Sequence, residues 1–270
     1  MTLERHLLCE LTSRQVNQYQ VQGGDIMLVP VGSVEVLGPH LPVGARCFVA
    51  EAFCKLLAEA VNGLYLPVTP YSSVADTFDR PGSVDVPETV LCRFMRGVMD
   101  DLVATGFRRV LLVTYLDYLR YYTPQEVYED RGVAAAGIHL VEELGHRVRE
   151  EGVRESSWVA GALRVLGRED LVAKVEQENQ RLLSAGFQQA ESPPALATLQ
   201  RVGVVGHARP AGSYLVPPDP ELSAEKGEAV LRRAAAEMVP AVASLRDYNE
   251  FLARRTSTRG LTWRGWRWFE

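Results

Sequence analysis

Glu35, His40 and Arg46 fall on one short stretch, Gly32-Ser33-Val34-Glu35-Val36-Leu37-Gly38-Pro39-His40-Leu41-Pro42-Val43-Gly44-Ala45-Arg46. A carboxylate, an imidazole and a guanidinium on one loop can together move a proton and hold an anion. Glu35 could act as a general base if an apolar pocket raises its pKa, or it could ion-pair with Arg46 and hold the loop. Arg46 could instead grip a substrate carboxylate or phosphate, for which its planar fork is suited. His40 is open to catalysis and to a loop-stabilising role.

A second group is aromatic: Tyr115, Asp117, Tyr118, Tyr121 and Tyr122. It can fill a pocket, bind an aromatic or sugar-like ligand, or support a subunit contact. Asp117, set among rings, is a candidate acid or base with a perturbed pKa. His139 closes an apolar run and His207 follows Gly206, but a lone histidine is weak evidence for chemistry.

The elements that must position these groups alternate strand and helix. Ile26 to Val31 is short, apolar and rich in β-branched residues, as a buried strand is. The glycines and prolines after it break the strand into a loop, and in open α/β sheets ligands bind beyond the carboxyl ends of strands. Phe48 to Val61 reads as a helix that Asn62-Gly63 stops, and Leu64 to Val68 as a second strand. Leu7 to Gln18 forms a helix before the first strand. Further on come helix Pro87 to Ala104, strand Val110 to Thr114, helix Pro124 to Arg131 and strand Gly132 to His139. A charged helix spans Val141 to Glu151, and another runs from Asp170, as its cap, to Gly186. Arg201 to Val205 is a last strand and Ser223 to Leu245 a long helix.

With 270 residues, 47% hydrophobic and 23% charged, the chain suits one large soluble α/β domain. A net charge of -5 argues against nucleic acid as a partner. No apolar run reaches the length of a membrane helix, and residues Met1 to Glu10 lack the apolar core of a secretory signal. Cys9, Cys47, Cys54 and Cys92 form no C-x-x-C pair, so neither zinc knuckle nor redox pair is expected and the cytoplasm is the expected compartment.

The Glu35 stretch, from Pro30 to Gly44, resembles the signature of the creatininase family of metal-dependent amidohydrolases, roughly Pro-(Val/Ile)-Gly-Ser-x-Glu-Gln-His-Gly-Pro-His-Leu-Pro-Leu-Gly-Thr-Asp. Pro30, Gly32, Ser33, Glu35, Gly38, Pro39, His40, Leu41, Pro42 and Gly44 match it. The resemblance implies a three-layer α/β/α sandwich with a mostly parallel central sheet. It also implies a two-metal site whose ligands include the Glu, the first His and the final Asp of that signature. Here Glu35 is kept, Leu37 stands at the His and Arg46 at the Asp, and neither replacement can ligate a cation.

Three later segments continue the comparison. Tyr71 to Ser83 resembles a family loop anchored at Pro81-Gly82-Ser83, with Asp76 or Thr77 nearest the position of its histidine. Thr114 to Leu119 stands where the family has a glycine-rich Asn-Gly-His-Gly-Gly-Asn motif. Glu150 to Ser157 aligns imperfectly with His-Ala-Gly-Glu-x-Glu-Thr-Ser, keeping Gly152, Glu155 and Ser157. The resemblance runs from about Leu7 to about Leu245.

The resulting expectation is one creatininase-like domain over residues 1–250 and a Trp/Arg-rich tail over 251–270 that packs on the domain or on a neighbouring subunit. Its function is expected to be metal-independent acid/base chemistry on a small polar molecule, such as C–N hydrolysis or cyclisation, with no cofactor. Glu35, His40, Asp117 and His139 are the candidate catalytic groups. Arg46, Asp76, Tyr115, Tyr118 and Glu155 are the candidate substrate contacts. The alternative is a non-catalytic subunit that binds a ligand or partners an active homologue. The resemblance further implies a homo-oligomer.

Overall fold

The computed structural model describes residues 3–74, 77, 79–144, 152–191, 195 and 214–259. Its centre is a parallel sheet of β1 (Ile26–Pro30), β2 (Leu64–Tyr65), β3 (Arg109–Thr114) and β4 (Ala136–His139) in the order β2-β1-β3-β4. β1 runs beside β3 with Leu28 opposite Leu111, and β3 beside β4 with Val113 opposite Ile138. Every residue of β1 and β3 is buried, as expected of parallel strands covered on both faces.

Alternation along the strands divides the core into two layers. Ile26, Leu28, Leu111 and Val113 pack against α2 (Ala45–Val61), α5 (Glu155–Val165) and α7 (Ala224–Arg259). Met27, Val29, Val110 and Leu112 face the other way, onto α1 (Ser13–Val21), α3 (Glu88–Ala104) and α4 (Asp117–Arg131). The remaining helix, α6 (Glu169–Ser184), adds Val172 and Val175 to the first layer. This is the three-layer α/β/α arrangement.

Local chemistry explains the boundaries. Asn62 ends α2 at φ 51°, a left-handed conformation that asparagine tolerates. α5 and α7 approach so closely that a Cβ on Gly227 would lie 1.7 Å from the Ser157 carbonyl oxygen, and one on Gly161 would lie 2.2 Å from the Glu228 nitrogen. Only glycine fits at that crossing.

Several elements depart from the expected bounds. β2 stops at Tyr65, two residues before Pro67, which has no N–H for a ladder. α4 begins at Asp117, and Pro124 lies inside it. Pro124 cannot donate to the Arg120 carbonyl, and that oxygen packs against Gly137 of β4, where a Cβ would come within 2.2 Å. Gly132 belongs to the turn closing α4, so β4 begins only at Ala136. Asp170 lies in the first turn of α6 and is not its cap; Arg168 holds that position without a side-chain hydrogen bond. α7 runs on to Arg259, through the start of the expected tail. The proposed strand 201–205, His207, most of the charged helix after Val141 and Trp263, Trp266 and Trp268 lie outside the described residues.

Candidate functional site

The loop leaving β1 is pinned before it turns into α2. Glu35 N–H donates to the Val43 carbonyl at 2.8 Å, Val36 N–H to Ser83 Oγ at 3.1 Å, and Val84 N–H to the Val34 carbonyl at 2.9 Å. Pro81-Gly82-Ser83 thus holds the loop that carries the acid. The Glu35 carboxylate, 1% exposed, accepts three side-chain hydrogen bonds: Ser33 Oγ at 2.5 Å and Arg46 Nη1 at 2.8 Å, both on Oε1, and Thr77 Oγ1 at 2.9 Å on Oε2.

Arg46 stands between two acids. Beyond its bond to Glu35, its Nε lies 3.9 Å from Glu155 Oε1, and its guanidinium carbon sits 5.0 Å from the centre of the Tyr115 ring. Burial opposes the Arg46 charge, but Glu35 and Glu155 outweigh it and hold its pKa above the ordinary value. Burial raises the Glu155 pKa, the Glu35 charge adds to the rise, and Arg46 opposes it. Burial, with Glu155 next, pushes the Tyr115 phenol well above its usual range. Three polar atoms here lack a hydrogen-bond partner: Arg46 Nε, Glu155 Oε1 and Tyr115 Oη. Arg46 Nε and Glu155 Oε1 thus face each other unsatisfied at 3.9 Å, and the Tyr115 ring packed on Arg46 carries an unpartnered hydroxyl, a costly state that a hydrogen-bonding guest relieves.

Asp117 and His139 meet elsewhere, at the ends of β3 and β4. His139 Nε2 is 2.8 Å from the Tyr115 carbonyl, so it carries the proton, and Nδ1 accepts the Glu142 N–H at 3.3 Å. Asp117 Oδ1 lies 3.8 Å from His139 Nε2 and 3.5 Å from the Arg120 guanidinium, which also pairs with Glu142. Ligand atoms of Asp117, His139 and Glu142 all lie within 4.8 Å of one another, so the three could hold a cation. That cation would have to displace Arg120 from both acids and free a nitrogen of His139.

The remaining expected residues are dispersed. His40 is 4% exposed and hydrogen-bonds through Nε2 to Ser156 Oγ at 2.9 Å, tying the loop to α5. Burial lowers its pKa to about 4 against the pull of Asp219 and Glu178. Tyr118 packs with the opposite layer of the core, and burial raises its phenol. Asp76 lies outside the described residues. Among the described residues no hydrogen bond or ion pair joins His40, Asp117 or His139 to Glu35 or Arg46.

Sequence reasoning missed Ser33 and Ser156 as partners of Glu35 and His40, and it missed Glu142 and Arg120. Thr77 was one of two residues placed near the family histidine; it is the one seen on Glu35. Tyr115 links the two clusters, its ring beneath Arg46 and its carbonyl on His139.

Comparison with known proteins bears on the family and the fold. The creatininase family model, described as creatinine amidohydrolase, matches residues 9–115 and so ends with Tyr115, where the chain departs from the glycine-rich motif. A creatinine amidohydrolase of Pseudomonas putida is 25% identical over 111 residues, covering 38% of this chain and 42% of that enzyme. A crystal structure of creatinine amidohydrolase superposes with a TM-score of 0.71 at 18% identity, over 90% of this chain and 98% of that one. A Bacteroides fragilis structure gives 0.70 at 14% identity, over 90% and 97%. Over about nine-tenths of the chain the fold is similar to theirs, whereas the family model matches only residues 9–115.

Proposed function

Because the chain belongs to the creatininase family, we propose that it is a repurposed, metal-independent member that binds and transforms a small polar molecule at the Arg46–Glu155–Tyr115 cluster. The observation that carries this reading is the unsatisfied pair of Arg46 Nε and Glu155 Oε1 on a guanidinium that already bridges two acids and packs on the Tyr115 ring. The family positions fit a cation poorly. Leu37 offers no ligand and is buried in the core, Arg46 is itself cationic, and Glu35 spends its oxygens on three donors.

The roles of the two acids follow from their surroundings. Glu35 accepts three donors, and in this reading its work is to hold Arg46 and the loop. Glu155 is the acid/base candidate, because its raised pKa brings it nearer neutrality and one of its oxygens has no partner. Arg46 supplies a fixed positive charge beside it, suited to a carbonyl or carboxylate oxygen of the guest. Such a pair supports ring opening, cyclisation or dehydration.

The test is a panel of small lactams, cyclic ureas and amino acids, offered with a chelator present. Binding is read by calorimetry and turnover by mass spectrometry. The reading expects one ligand to bind, and Glu155→Gln to lower its turnover by about 100-fold with little change in affinity. Turnover that appears only when metal is added back would overturn it. A second reading, a non-catalytic subunit, is favoured by the burial of Tyr115 beneath Arg46; it expects binding with no turnover of any ligand in the panel.

A further inference from the structure

The opposite edge of the sheet, where β1 and β3 begin, carries a different assembly. Asp25, just before β1, accepts from Arg109 Nε at 2.8 Å and from Arg109 Nη2, and from Arg246 Nη2 at 3.4 Å. A third guanidinium, Arg108, donates one hydrogen bond at 3.0 Å, to the Val103 carbonyl near the end of α3. These groups border two adjoining clefts that share Arg246. The larger, about 630 Å³, is lined among others by Gln20, Asp25, Arg108, Arg246, Asn249 and Glu250. The smaller, about 200 Å³, is lined by Arg109 and Arg246 together with Tyr19 and Asn62.

The charges do not balance. Three guanidinium groups face Asp25 and Glu250, and Glu250 already pairs with Arg254 at 3.5 Å. Arg109 is spent on Asp25. Among the described residues Arg108 has no carboxylate partner, and Arg246 has only the long contact to an oxygen that Arg109 already holds. Each guanidinium carries five N–H donors in a fork that matches an oxyanion, and most of those on Arg108 and Arg246 are unspent. The framework around them is fixed. Asn249 accepts from Ala134 N–H at 2.7 Å and donates to the Ala134 and Arg108 carbonyls at 3.0 and 2.8 Å. This ties α7, which carries Arg246, to the segments that begin β3 and β4. In a chain of net charge -5, a preorganised positive cleft stands out against its surroundings.

We propose that this cleft, between Arg108 and Arg246, binds a small phosphate-type oxyanion, either inorganic phosphate or the phosphate group of a monoester. Arg108 and Arg246 grip the oxygens from two sides, and Asp25 with Arg109 holds Arg246 in place. The site is independent of the Arg46 cluster.

The test is calorimetric titration of the full chain with sodium phosphate and with glycerol 3-phosphate, against sodium chloride of matched ionic strength. Saturable binding at one equivalent is expected, and tighter binding of the monoester would identify an esterified ligand. Arg108→Gln, which breaks no ion pair, should weaken it about five-fold, and Arg108→Gln with Arg246→Gln at least about 20-fold. Arg232→Ala, elsewhere on α7, should leave it unchanged. Heat no greater than the chloride control, or equal affinity in the double variant with its fold confirmed by circular dichroism, would overturn the proposal.

Discussion

The two edges of the sheet use the same ion chemistry with opposite sign. At the carboxyl edge one guanidinium, Arg46, lies between two acids, Glu35 and Glu155. At the amino edge one carboxylate, Asp25, lies between two guanidinium groups, Arg109 and Arg246. The first arrangement leaves polar atoms unpaired beneath the surface, and the second leaves donors facing an open cleft. The difference is one of burial: an unmet group inside the protein raises the free energy of the fold, whereas one at a cleft is met by water until a ligand comes. The carboxyl edge is therefore where the fold is held under tension, and it is the candidate seat of chemistry.

The sharpest way to break this contrast is Arg46→Met. It strands Glu35 as a buried, uncompensated charge and should destabilise the protein by about 3–5 kcal/mol in urea unfolding. Restoring neutrality with Glu35→Gln in the same chain should recover much of that loss. His40 gives the next largest effect, as a pH dependence. Its folded-state pKa of about 4 lies below the ordinary 6.5, so the unfolded chain binds the proton more readily. Stability should then fall as pH drops from about 6.5 to 4, by roughly 3 kcal/mol over the full range, and His40→Gln should flatten that limb.

At the amino edge, Asn249→Ala removes three hydrogen bonds that tie α7 to the sheet and should cost about 2 kcal/mol in the same unfolding measurement. The smallest effect comes from Glu155. Its pKa is raised above 4.5, so the folded state keeps a proton that the unfolded chain releases. Stability should fall as pH rises through that window, and Glu155→Gln should remove this slope and leave the acid limb of His40 intact.

Much of the scaffold was legible because its signals are local. The β-branched run from Ile26 and the Asn62-Gly63 stop set β1 and the end of α2 within a residue. α4 was misplaced because Pro124 reads as a helix start; what permits it inside the helix is a carbonyl turned toward Gly137, a contact across the chain that no local pattern records. The Glu35–Arg46 ion pair was one of two open readings; the structure contains that pair, with Ser33 and Thr77 also donating to the acid, contacts that the loop's spacing did not suggest. Glu155 came only through the family resemblance, since nothing nearby in the sequence marks it as facing Arg46. Asp117 was read as set among tyrosines; its side chain is 67% exposed, because α4 starts there and turns it outward. The arginine cleft escaped notice because Asp25, Arg108 and Arg246 come together only in the folded chain.

The measurement that bears most directly on the central claim is the metal content of the protein after incubation with zinc or manganese and gel filtration, made on the parent chain, on Glu35→Gln and on Asp117→Asn. On the metal-independent reading proposed above, with Arg46 bonded to Glu35, no stoichiometric metal should be retained through Glu35. One or two equivalents lost in Glu35→Gln would contradict the account. Metal lost only in Asp117→Asn would place a cation at the Asp117–His139–Glu142 group and leave the Arg46 cluster as described.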